Sequence, residues 1–443
     1  MLTADDNRLL TETGPGTPMG ELFRRFWTPV LLSRDLPQPD SPPTRVRIFG
    51  EDFLALRFTD GTAAVIEPHC PHRGANLFFG RCEKGGIRCA YHGWKFAPDG
   101  RCLDMPNVEP GRQRDAMQAQ IRLKTYPTRE WGDFIWAYLG PDGTAPELPQ
   151  MEFALVPPSH RYVSKKLQEC NWAQSAEGGI DTAHFSFLHM SVDEAEDAAI
   201  GIMSRSEAAG DKERVRWLRR DGSPKFTVME HPAGLVLGAA RAADDGRLYW
   251  RISQFLMPNH GLAPNAFPGE NYHGQTWVPI DDTSCWVFCY TWNPERPLTD
   301  DERAKFRKGH TVHGDIDAEG RPIRNRANDY LIDREEQRLR SFTGIVGVSE
   351  QDAAIQDSQG FIADRTHEYL VPTDLGIVRF RRLMMESARR LTRGEAPPAA
   401  SAPEAYAVRS GGAVAPAEEP LEAVMMERFG SVDGRAARES VAS

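Results

Sequence analysis

Apolar positions in this chain of 443 residues follow two patterns along its length. Between residues 46 and 140, short apolar runs such as VRIFG, FLALRF and AAVIE are separated by Asp-Gly and Gly-Gly pairs at hairpin spacing. Runs of this length with such turns are typical of antiparallel β-strands. The pattern therefore predicts a small antiparallel β domain over residues 45–145, preceded by an N-terminal segment, 1–44, that packs on the core.

The second half of the chain mixes helical and strand patterns. A Pro-rich joint at residues 141–158 is followed by a helical stretch over 171–190 and a strand-rich region over 214–292, before helical patterns return. These elements predict a second, α+β domain over residues 146–394. Residues 395–443 begin with an Ala-, Pro- and Glu-rich run, and this composition predicts a disordered tail.

Composition excludes several classes of function. The formal net charge is −10, and the sequence has no run of five or more basic residues. The charge distribution therefore does not favour binding to nucleic acid. Apolar runs are far shorter than the ~20 residues that span a bilayer, and the polar, acidic N-terminus does not resemble a secretory leader. Seven scattered cysteines favour metal ligation or burial in a reducing compartment. We expect a cytoplasmic protein without a membrane or nucleic-acid partner.

The stretch CPHRGANLFFGRCEKGGIRCAYHGW carries two mixed pairs of metal-ligating residues, Cys70-x-His72 and Cys89-x-x-His92. Thiolates and imidazoles together suit zinc or an iron–sulfur cluster. A structural zinc site is one interpretation, although zinc fingers usually pair like with like. A [2Fe–2S] cluster with two cysteines on one iron and two histidines on the other explains the mixing, because each pair then supplies one ligand to each iron.

The spacing of these two pairs matches the motif of the Rieske family in full, and the sequence resembles that family here. The resemblance implies a Rieske [2Fe–2S] cluster held by the two cysteines and two histidines. Respiratory-chain members carry two further cysteines that form a disulfide beside the cluster. Ala75 and Tyr91 occupy those places in this chain, so the site resembles the oxygenase and ferredoxin branch of the family.

A second set of candidate ligands, Asp181, His184 and His189, lies in NWAQSAEGGIDTAHFSFLHM. Core histidines with a capping aspartate are the plain structural interpretation. On a helix, Asp181 and His184 would be neighbours that can hydrogen-bond. His184 and His189 would lie about 140° apart, so the helix must end or bulge between them if both are to face one point. Two histidines and a carboxylate form the facial triad that holds Fe(II) with positions open for oxygen.

The string D-x-x-H-x(4)-H resembles the mononuclear iron site of Rieske non-haem iron oxygenases. The resemblance implies His184 and His189 as iron ligands, and it gives Asp181 a bridging role toward a Rieske histidine of a neighbouring subunit. It also implies a carboxylate ligand at the start of a downstream helix. The stretch SEQDAAIQDSQG offers three acids, Glu350, Asp352 and Asp357. Asp352 matches the family setting, although a helix N-terminus also favours acids for its dipole.

From about residue 10 to 394 the chain resembles the phthalate dioxygenase-like branch of these oxygenases, which consist of α subunits alone. Stretches that carry the similarity include GTPMGELFRRFWTPV, AYHGWKFAPDGRCLDMPN and QDAAIQDSQGFIADRTHEYL. The resemblance implies an α+β fold, in which an antiparallel β Rieske domain precedes a helix-grip, START-like catalytic domain. It also implies a homotrimer or stacked trimers, and a separate reductase with flavin and a plant-type [2Fe–2S] centre as electron donor.

The reaction implied by the resemblance is O2 activation at Fe(II), with electrons from NAD(P)H, to hydroxylate an aromatic carboxylic acid. Ring dihydroxylation and O-demethylation of a methoxylated acid both occur in this branch, and the iron ligands do not distinguish them. A substrate carboxylate favours a fixed arginine with its bidentate fork. The strand region expected to line the pocket offers four arginines, Arg205, Arg241, Arg247 and Arg251.

Two other classes of function remain open from the sequence, namely a Rieske-type electron carrier and a zinc-stabilised binding module. Chain length favours the oxygenase, because an electron carrier needs only the β domain. Three polar residues of the helical stretch are further candidates, as partners that orient the iron ligands: Asn171, Gln174 and Glu177.

Overall fold

The computed structural model describes residues 1–193, 205 and 211–429, and the chain divides into two compact units. The first unit is Phe23–Ala145, and the second combines Met1–Leu22 with the chain from Pro146 onward. The N-terminal segment expected as one piece is therefore shared between the units. Helix α1 (Ala4–Thr11) packs within the second unit, and helix α2 (Pro18–Phe23) ends at the boundary.

The first unit consists of three small antiparallel sheets. One sheet contains β1 (Trp27–Leu32), β11 (Phe134–Tyr138) and β10 (Thr128–Trp131). A second contains β2 (Thr44–Ile48), β3 (Glu51–Arg57), β4 (Ala63–Ile66) and β9 (Thr125–Tyr126). The third contains β5 (Arg81–Glu83), β6 (Gly86–Arg88), β7 (Lys95–Phe96) and β8 (Cys102–Asp104), followed by helix α3 (Arg112–Gln120).

The predicted Asp-Gly and Gly-Gly turns join the hairpins of this unit. Gly61, Gly85 and Gly100 have positive φ angles of 87°, 74° and 80°, which glycine adopts without the steric penalty of a side chain. The apolar residues between the turns form one core, and Cys70 and Cys89 belong to it. The metal-binding motif is therefore anchored in the core of the β unit.

The second unit is built on one eight-stranded antiparallel sheet. Seven of its strands run in the order β12 (Arg161–Gln168), β18 (Ser284–Trp292), β17 (Tyr272–Asp281), β16 (His260–Leu262), β15 (Arg247–Leu256), β14 (Gly234–Ala242) and β13 (Lys225–His231). The eighth, β19 (Gly411–Pro416), pairs with β15. Both units together give the α+β fold class predicted from the sequence, with the antiparallel β domain preceding a sheet covered by helices.

The helices of this unit, several of which pack against the sheet, follow in chain order. They are α4 (Glu152–Leu155), α5 (Trp172–Ile180), α6 (Lys212–Arg220), α7 (Asp300–Arg307), α8 (Arg334–Leu339), α9 (Val348–Ser358) and α10 (Leu375–Thr392). Helix α6 occupies the start of the region predicted as strands, since VRWLRR buries Val215, Trp217 and Leu218 on one face. In the described part of the chain, no helix is both long and apolar enough to cross a bilayer.

The expectation of a disordered tail from residue 395 is wrong for residues 395–429. Strand β19 (Gly411–Pro416) pairs antiparallel with β15, and helix α11 (Leu421–Phe429) follows it. The composition misled because the alanines of this segment are buried beside larger apolar side chains such as Tyr406 and Met425. Residues 430–443 of the expected tail lie outside the described residues.

Candidate active site: two metal centres and their cavities

The four candidate cluster ligands lie on two loops of the first unit that have the same hydrogen bonds. In one loop, the Cys70 N–H donates to the Ala75 carbonyl (2.9 Å) and the Gly74 N–H returns to the Cys70 carbonyl (2.9 Å). In the other, the Cys89 N–H donates to the Trp94 carbonyl (2.8 Å) and the Gly93 N–H to the Cys89 carbonyl (3.0 Å). Gly74 and Gly93 both have positive φ, which each tight loop requires.

The two loops bring their histidines together at the edge of the unit. The rings of His72 and His92 lie 4.6 Å apart, and the His72 ring stacks on Trp94 at 4.2 Å. Cys70 and Cys89 are buried, whereas both histidines are partly exposed. Burial raises the pKa of the Cys70 thiol to about 11, with a further contribution from Cys89. Paired buried sulfurs facing paired imidazoles are a donor set suited to a [2Fe–2S] cluster with mixed ligands.

The second set of candidate ligands comes together in the second unit. One ligand atom each from His184, His189 and Asp352 lies within 4.8 Å of the others. His189 Nε2 is 3.2 Å and His184 Nε2 is 3.5 Å from Asp352 Oδ1. Neither Nε2 atom has a hydrogen-bond partner among the described residues. Two imidazole nitrogens and a carboxylate oxygen that converge at these distances form a donor set that fits a metal ion.

The chain reaches this geometry by ending helix α5 at Ile180, earlier than the sequence predicts. The Asp181 carboxylate accepts the backbone N–H groups of Ala183 (2.9 Å) and His184 (3.2 Å), and these bonds replace helical ones. A single 3-10 turn, His184–Ser186, precedes His189. Asp181 and His184 are hydrogen-bonded as expected, His184 Nδ1 donating to Asp181 Oδ2 at 2.8 Å, but in a turn and not on a helix.

The electrostatics of Asp181 and Asp352 favour their charged forms. Burial opposes ionisation of Asp181, but the hydrogen bonds from His184 and from the backbone outweigh it and hold its pKa below the ordinary value. Burial likewise opposes ionisation of Asp352, and the facing imidazoles of His189 and His184 hold its pKa low. Asp357, the other acid of its helix, lies apart from the triad and accepts a hydrogen bond from Tyr330.

The residues expected to orient the iron ligands do not touch them. Asn171 caps α5, accepting the Ala173 N–H at 3.0 Å. Gln174 donates to the Gln356 and Gly360 carbonyls, and Glu177 pairs with Arg365 and Arg381. These three residues therefore anchor the helix. The prediction is wrong in this respect because residues on the buried face of α5 meet neighbouring elements before they reach the triad.

Gln351 is a site residue that the sequence analysis missed. Its Oε1 lies 2.7 Å from His189 Nδ1, and the side chain is fully buried. Its place directly before Asp352 is not a signal by itself, because the burial of the side chain and its contact with His189 are seen only in the structure.

The four candidate arginines have different environments. Arg205 donates to the Lys308 carbonyl and Asp315, and Arg247 is exposed. Arg241 donates to the Thr182 carbonyl (2.7 Å), to Asp221 O (3.1 Å) and to Thr182 Oγ1 (3.2 Å), so it is bound to the turn that carries His184. Burial, and then Arg251, lower the pKa of Arg241 to about 10. Its contacts therefore do not bear out a substrate-binding role.

Arg251 differs from the other three, because all three nitrogens of its buried guanidinium are without a hydrogen-bond partner in the described part of the chain. The guanidinium carbon lies 4.0 Å from the centroid of the Phe185 ring, directly beside the triad in sequence. Across the sheet its neighbours are Ala239 and Gly412, two residues with small or absent side chains.

Two cavities of the second unit meet at His184 and Asp352. One is lined by Phe185, Asn265, Gln275, Thr311, Val348 and Ser349. The other is lined by Asp181, Glu177, Leu188, Glu368, Leu370 and Arg381. The triad therefore has a mixed apolar and polar cavity on the Phe185 side and a charged opening on the Asp181 side.

Comparison with known proteins agrees with these two sites. Residues 26–127 match the family described as Rieske [2Fe-2S] domain, and residues 137–422 match the family described as LigXa C-terminal domain like. The oxygenase subunit of 3-chlorobenzoate-3,4-dioxygenase from Comamonas testosteroni is 35% identical, over 97% of this chain and 99% of its own. The oxygenase subunit of phthalate 4,5-dioxygenase from Pseudomonas putida is 38% identical, over 89% and 88% respectively.

Other relatives carry different chemistry. The oxygenase subunit of 5,5'-dehydrodivanillate O-demethylase from Sphingobium is 30% identical over 90% of this chain and 83% of its own. Among solved structures, dicamba monooxygenase bound to dicamba superposes with a TM-score of 0.57 at 17% identity, covering 84% of this chain and 99% of that one. At that identity the structural match supports the fold alone.

These observations define an oxidoreductase with two metal sites, an iron–sulfur domain joined to an oxygenase domain. The chain belongs to the Rieske ring-hydroxylating oxygenases, in the company of phthalate and chlorobenzoate dioxygenase oxygenase subunits. It carries a Rieske [2Fe–2S] cluster and mononuclear iron. Because relatives match along the whole chain, the electron-carrier and zinc-module interpretations are excluded.

Proposed function

We propose that this oxygenase hydroxylates an aromatic carboxylic acid, and that Arg251 binds the carboxylate of the substrate. The observation that carries the proposal is the buried guanidinium of Arg251 without an acceptor. A buried charge without a partner costs several kcal/mol, so an anion that binds beside this guanidinium would be strongly stabilised. A carboxylate matches its planar fork with two parallel hydrogen bonds.

The surroundings of Arg251 support an anionic ligand. Tyr249 and Ser253 lie two residues before and after it on β15, on the same face of the strand. Their hydroxyls are buried and unpartnered among the described residues. A carboxylate has about four lone-pair positions, so it can accept from the arginine fork and still accept from hydroxyl donors. Phe185 separates the guanidinium from the cavity, and we infer that this ring turns aside when substrate binds.

We propose that Cys70, His72, Cys89 and His92 hold the cluster and that His184, His189 and Asp352 hold the iron. The cluster supplies electrons, and the iron supplies the place where O2 is activated. The chain's own contribution is to present three unprotonated donor atoms on one side and to leave the Phe185-lined cavity open to substrate on the other. That arrangement supports a facial triad with free positions for O2.

Asp181 is proposed to pass electrons from the Rieske histidines of a second copy of the chain, in a homotrimer or stacked trimers. The opening at Asp181 has a carboxylate at Glu368, and the next residue in the chain, Tyr369, is 92% exposed. The ligand loops of the first unit carry complementary groups, the exposed Tyr91 under the Arg73 guanidinium. Opposite charge and exposed aromatic surface favour docking of one copy on the next.

We further propose that a separate reductase with flavin and a [2Fe–2S] centre is the electron donor. We also propose that the protein acts in the cytoplasm. A solved relative by fold, carbazole 1,9a-dioxygenase, forms a complex of oxygenase and ferredoxin, which supports an external donor. The five cysteines other than Cys70 and Cys89 are free thiols, which supports a reducing compartment. O-demethylation of a methoxylated acid is the second candidate reaction, because one of the relatives is an O-demethylase.

Steady-state assays with a panel of phthalates, benzoates and methoxybenzoates, a reductase and NADH test the proposed function. For the acid that is turned over, Arg251→Met should raise KM by about 30- to 4000-fold, because removing one partner of a buried charge pair costs about 2–5 kcal/mol. Arg247→Met, four residues earlier on the same strand face but exposed, should change KM less than about twofold. A KM of Arg251→Met within threefold of the parent would refute the role of this arginine. Product stereochemistry separates dihydroxylation from demethylation.

A further inference from the structure

We propose that Gln351 selects the tautomer of His189 that presents Nε2 to the mononuclear iron, and so sets how tightly the metal is held. The inference rests on the proposed function, which assigns His189 as a ligand. Gln351 is a positioning residue in this scheme, because it acts on the metal through the histidine ring.

The orientation of the Gln351 amide is fixed by a backbone group. Its Nε2 donates to the Ile345 carbonyl at 2.7 Å, and a carbonyl accepts only. The other end of the amide, Oε1, must therefore face His189 Nδ1, 2.7 Å away. Since Oε1 has no proton to give, His189 Nδ1 must carry the proton and donate it. The backbone thus determines the tautomer of the histidine through one buried amide.

This tautomer is the one that suits a metal ion. A neutral imidazole holds its proton on one nitrogen, and the other nitrogen presents a lone pair. With the proton on Nδ1, the lone pair of His189 Nε2 points toward Asp352 Oδ1, 3.2 Å away. The alternative tautomer would place an N–H where the metal must bind. Gln351 is fully buried, so water does not compete for either of its bonds.

The two ligand histidines are held by different chemistry. His184 donates to the carboxylate of Asp181, whereas His189 donates to a neutral amide. A carboxylate partner makes an imidazole a stronger donor through a charge-assisted bond. The neutral partner holds His189 in place without adding a third negative charge beside Asp181 and Asp352.

The test compares two substitutions of Gln351 in the full chain carrying its cluster. Gln351→Leu removes both hydrogen bonds, whereas Gln351→Glu keeps an oxygen acceptor for His189 Nδ1 in either protonation state. After removal of the mononuclear iron, Co(II) is titrated into each variant and its dissociation constant is read from the visible absorption of the bound ion. Gln351→Leu should weaken Co(II) binding by about 10- to 100-fold, as loss of partners of metal-bound histidines does. Gln351→Glu should stay within about threefold.

Gln356→Leu is the matched control, because Gln356 is a buried glutamine on the same helix that bonds to Gln168. It should lower the melting temperature without weakening Co(II) binding beyond threefold. Parent-like binding by Gln351→Leu, or equal weakening in both Gln351 variants, would overturn the tautomer role. His189→Ala separates the two levels of inference. If it binds Co(II) normally, the proposed iron site fails, and if it loses Co(II) while Gln351→Leu does not, only the role of Gln351 fails.

Discussion

The two metal centres of this chain are constructed in opposite ways. In the first unit, one stretch, 70–94, supplies all four proposed ligands on two loops with the same hydrogen bonds and the same glycine position. In the second unit, the proposed ligands come from a turn after α5 and from a helix that begins at Val348. The first centre depends on local backbone geometry, and the second depends on the packing of the whole unit.

The difference extends to what holds the histidines. His72 is fixed by stacking on the Trp94 ring, a contact between neighbouring loops. His184 and His189 are fixed by hydrogen bonds to Asp181 and Gln351. Stacked rings tolerate a change of charge nearby, whereas hydrogen-bonded imidazoles respond to the identity of the acceptor. We expect the second centre to be more sensitive to substitutions of polar residues.

The largest expected effect tests whether the centres are independent. Cys89→Ala should abolish the cluster and all turnover, but leave Co(II) binding at His184 and His189 intact. His184→Ala should abolish turnover and leave the cluster in place, because its ligands lie in the other unit. Acid-labile sulfide and visible absorption report the cluster. Loss of the cluster in His184→Ala would contradict separate construction.

A smaller but still severe effect is expected at Asp181. Asp181→Asn keeps a hydrogen-bond acceptor for His184 but removes the negative charge, so turnover should fall by about 100-fold with both metals retained. Stopped-flow oxidation of the pre-reduced cluster by O2 with substrate present measures the step directly. Asp357→Asn, a buried acid bonded to Tyr330, serves as the control. If the cluster of Asp181→Asn were oxidised at the parent rate, the bridging role of Asp181 would be contradicted.

An intermediate effect distinguishes positioning from substrate binding at Arg241. Its guanidinium holds Thr182, next to Asp181, through several hydrogen bonds, and a lysine cannot reproduce that fork. Arg241→Lys should lower kcat by about 10-fold, within the range for loss of an orienting partner, and leave KM within twofold. A raised KM with unchanged kcat would instead make Arg241 a substrate contact.

The smallest effect on turnover is expected in the C-terminal segment, where stability should change instead. Leu421 is buried against Gly238, and Leu421→Ala should lower the free energy of unfolding by about 2–4 kcal/mol. Met426→Ala, on the exposed face of the same helix, should change it by less than about 0.5 kcal/mol. Urea unfolding measures both. Equal values for the two variants would mean that this helix is not packed in solution.

The contrast between the centres also explains what the sequence could predict. The four cluster ligands and the hairpins around them follow from local spacing and turn residues, and the structure has the same hairpins. Pairing His184 and His189 with Asp352 required a family resemblance, because nothing local joins residues so far apart. Gln351 and the contacts of Arg241 could not be predicted, since hydrogen bonds between separate elements leave no periodic signal in either element.

The same limit applied to residues 395–429. Their alanines and prolines are typical of disordered chain, and only the open edge of β15, formed by distant residues, gives β19 a partner. Composition describes a segment in isolation, whereas burial depends on the surface that the rest of the chain offers.

Because β19 pairs with β15, residues 411–416 form part of the sheet of the second unit and can be exchanged as one segment. Gly412 lies directly across from Arg251, and its missing side chain leaves room for the Phe267 ring. Exchanging this segment between relatives would therefore change the residues that lie beside Arg251, the arginine proposed to bind the substrate carboxylate. Engineers seeking new substrate range can work from the C-terminus inward, without disturbing either set of metal ligands.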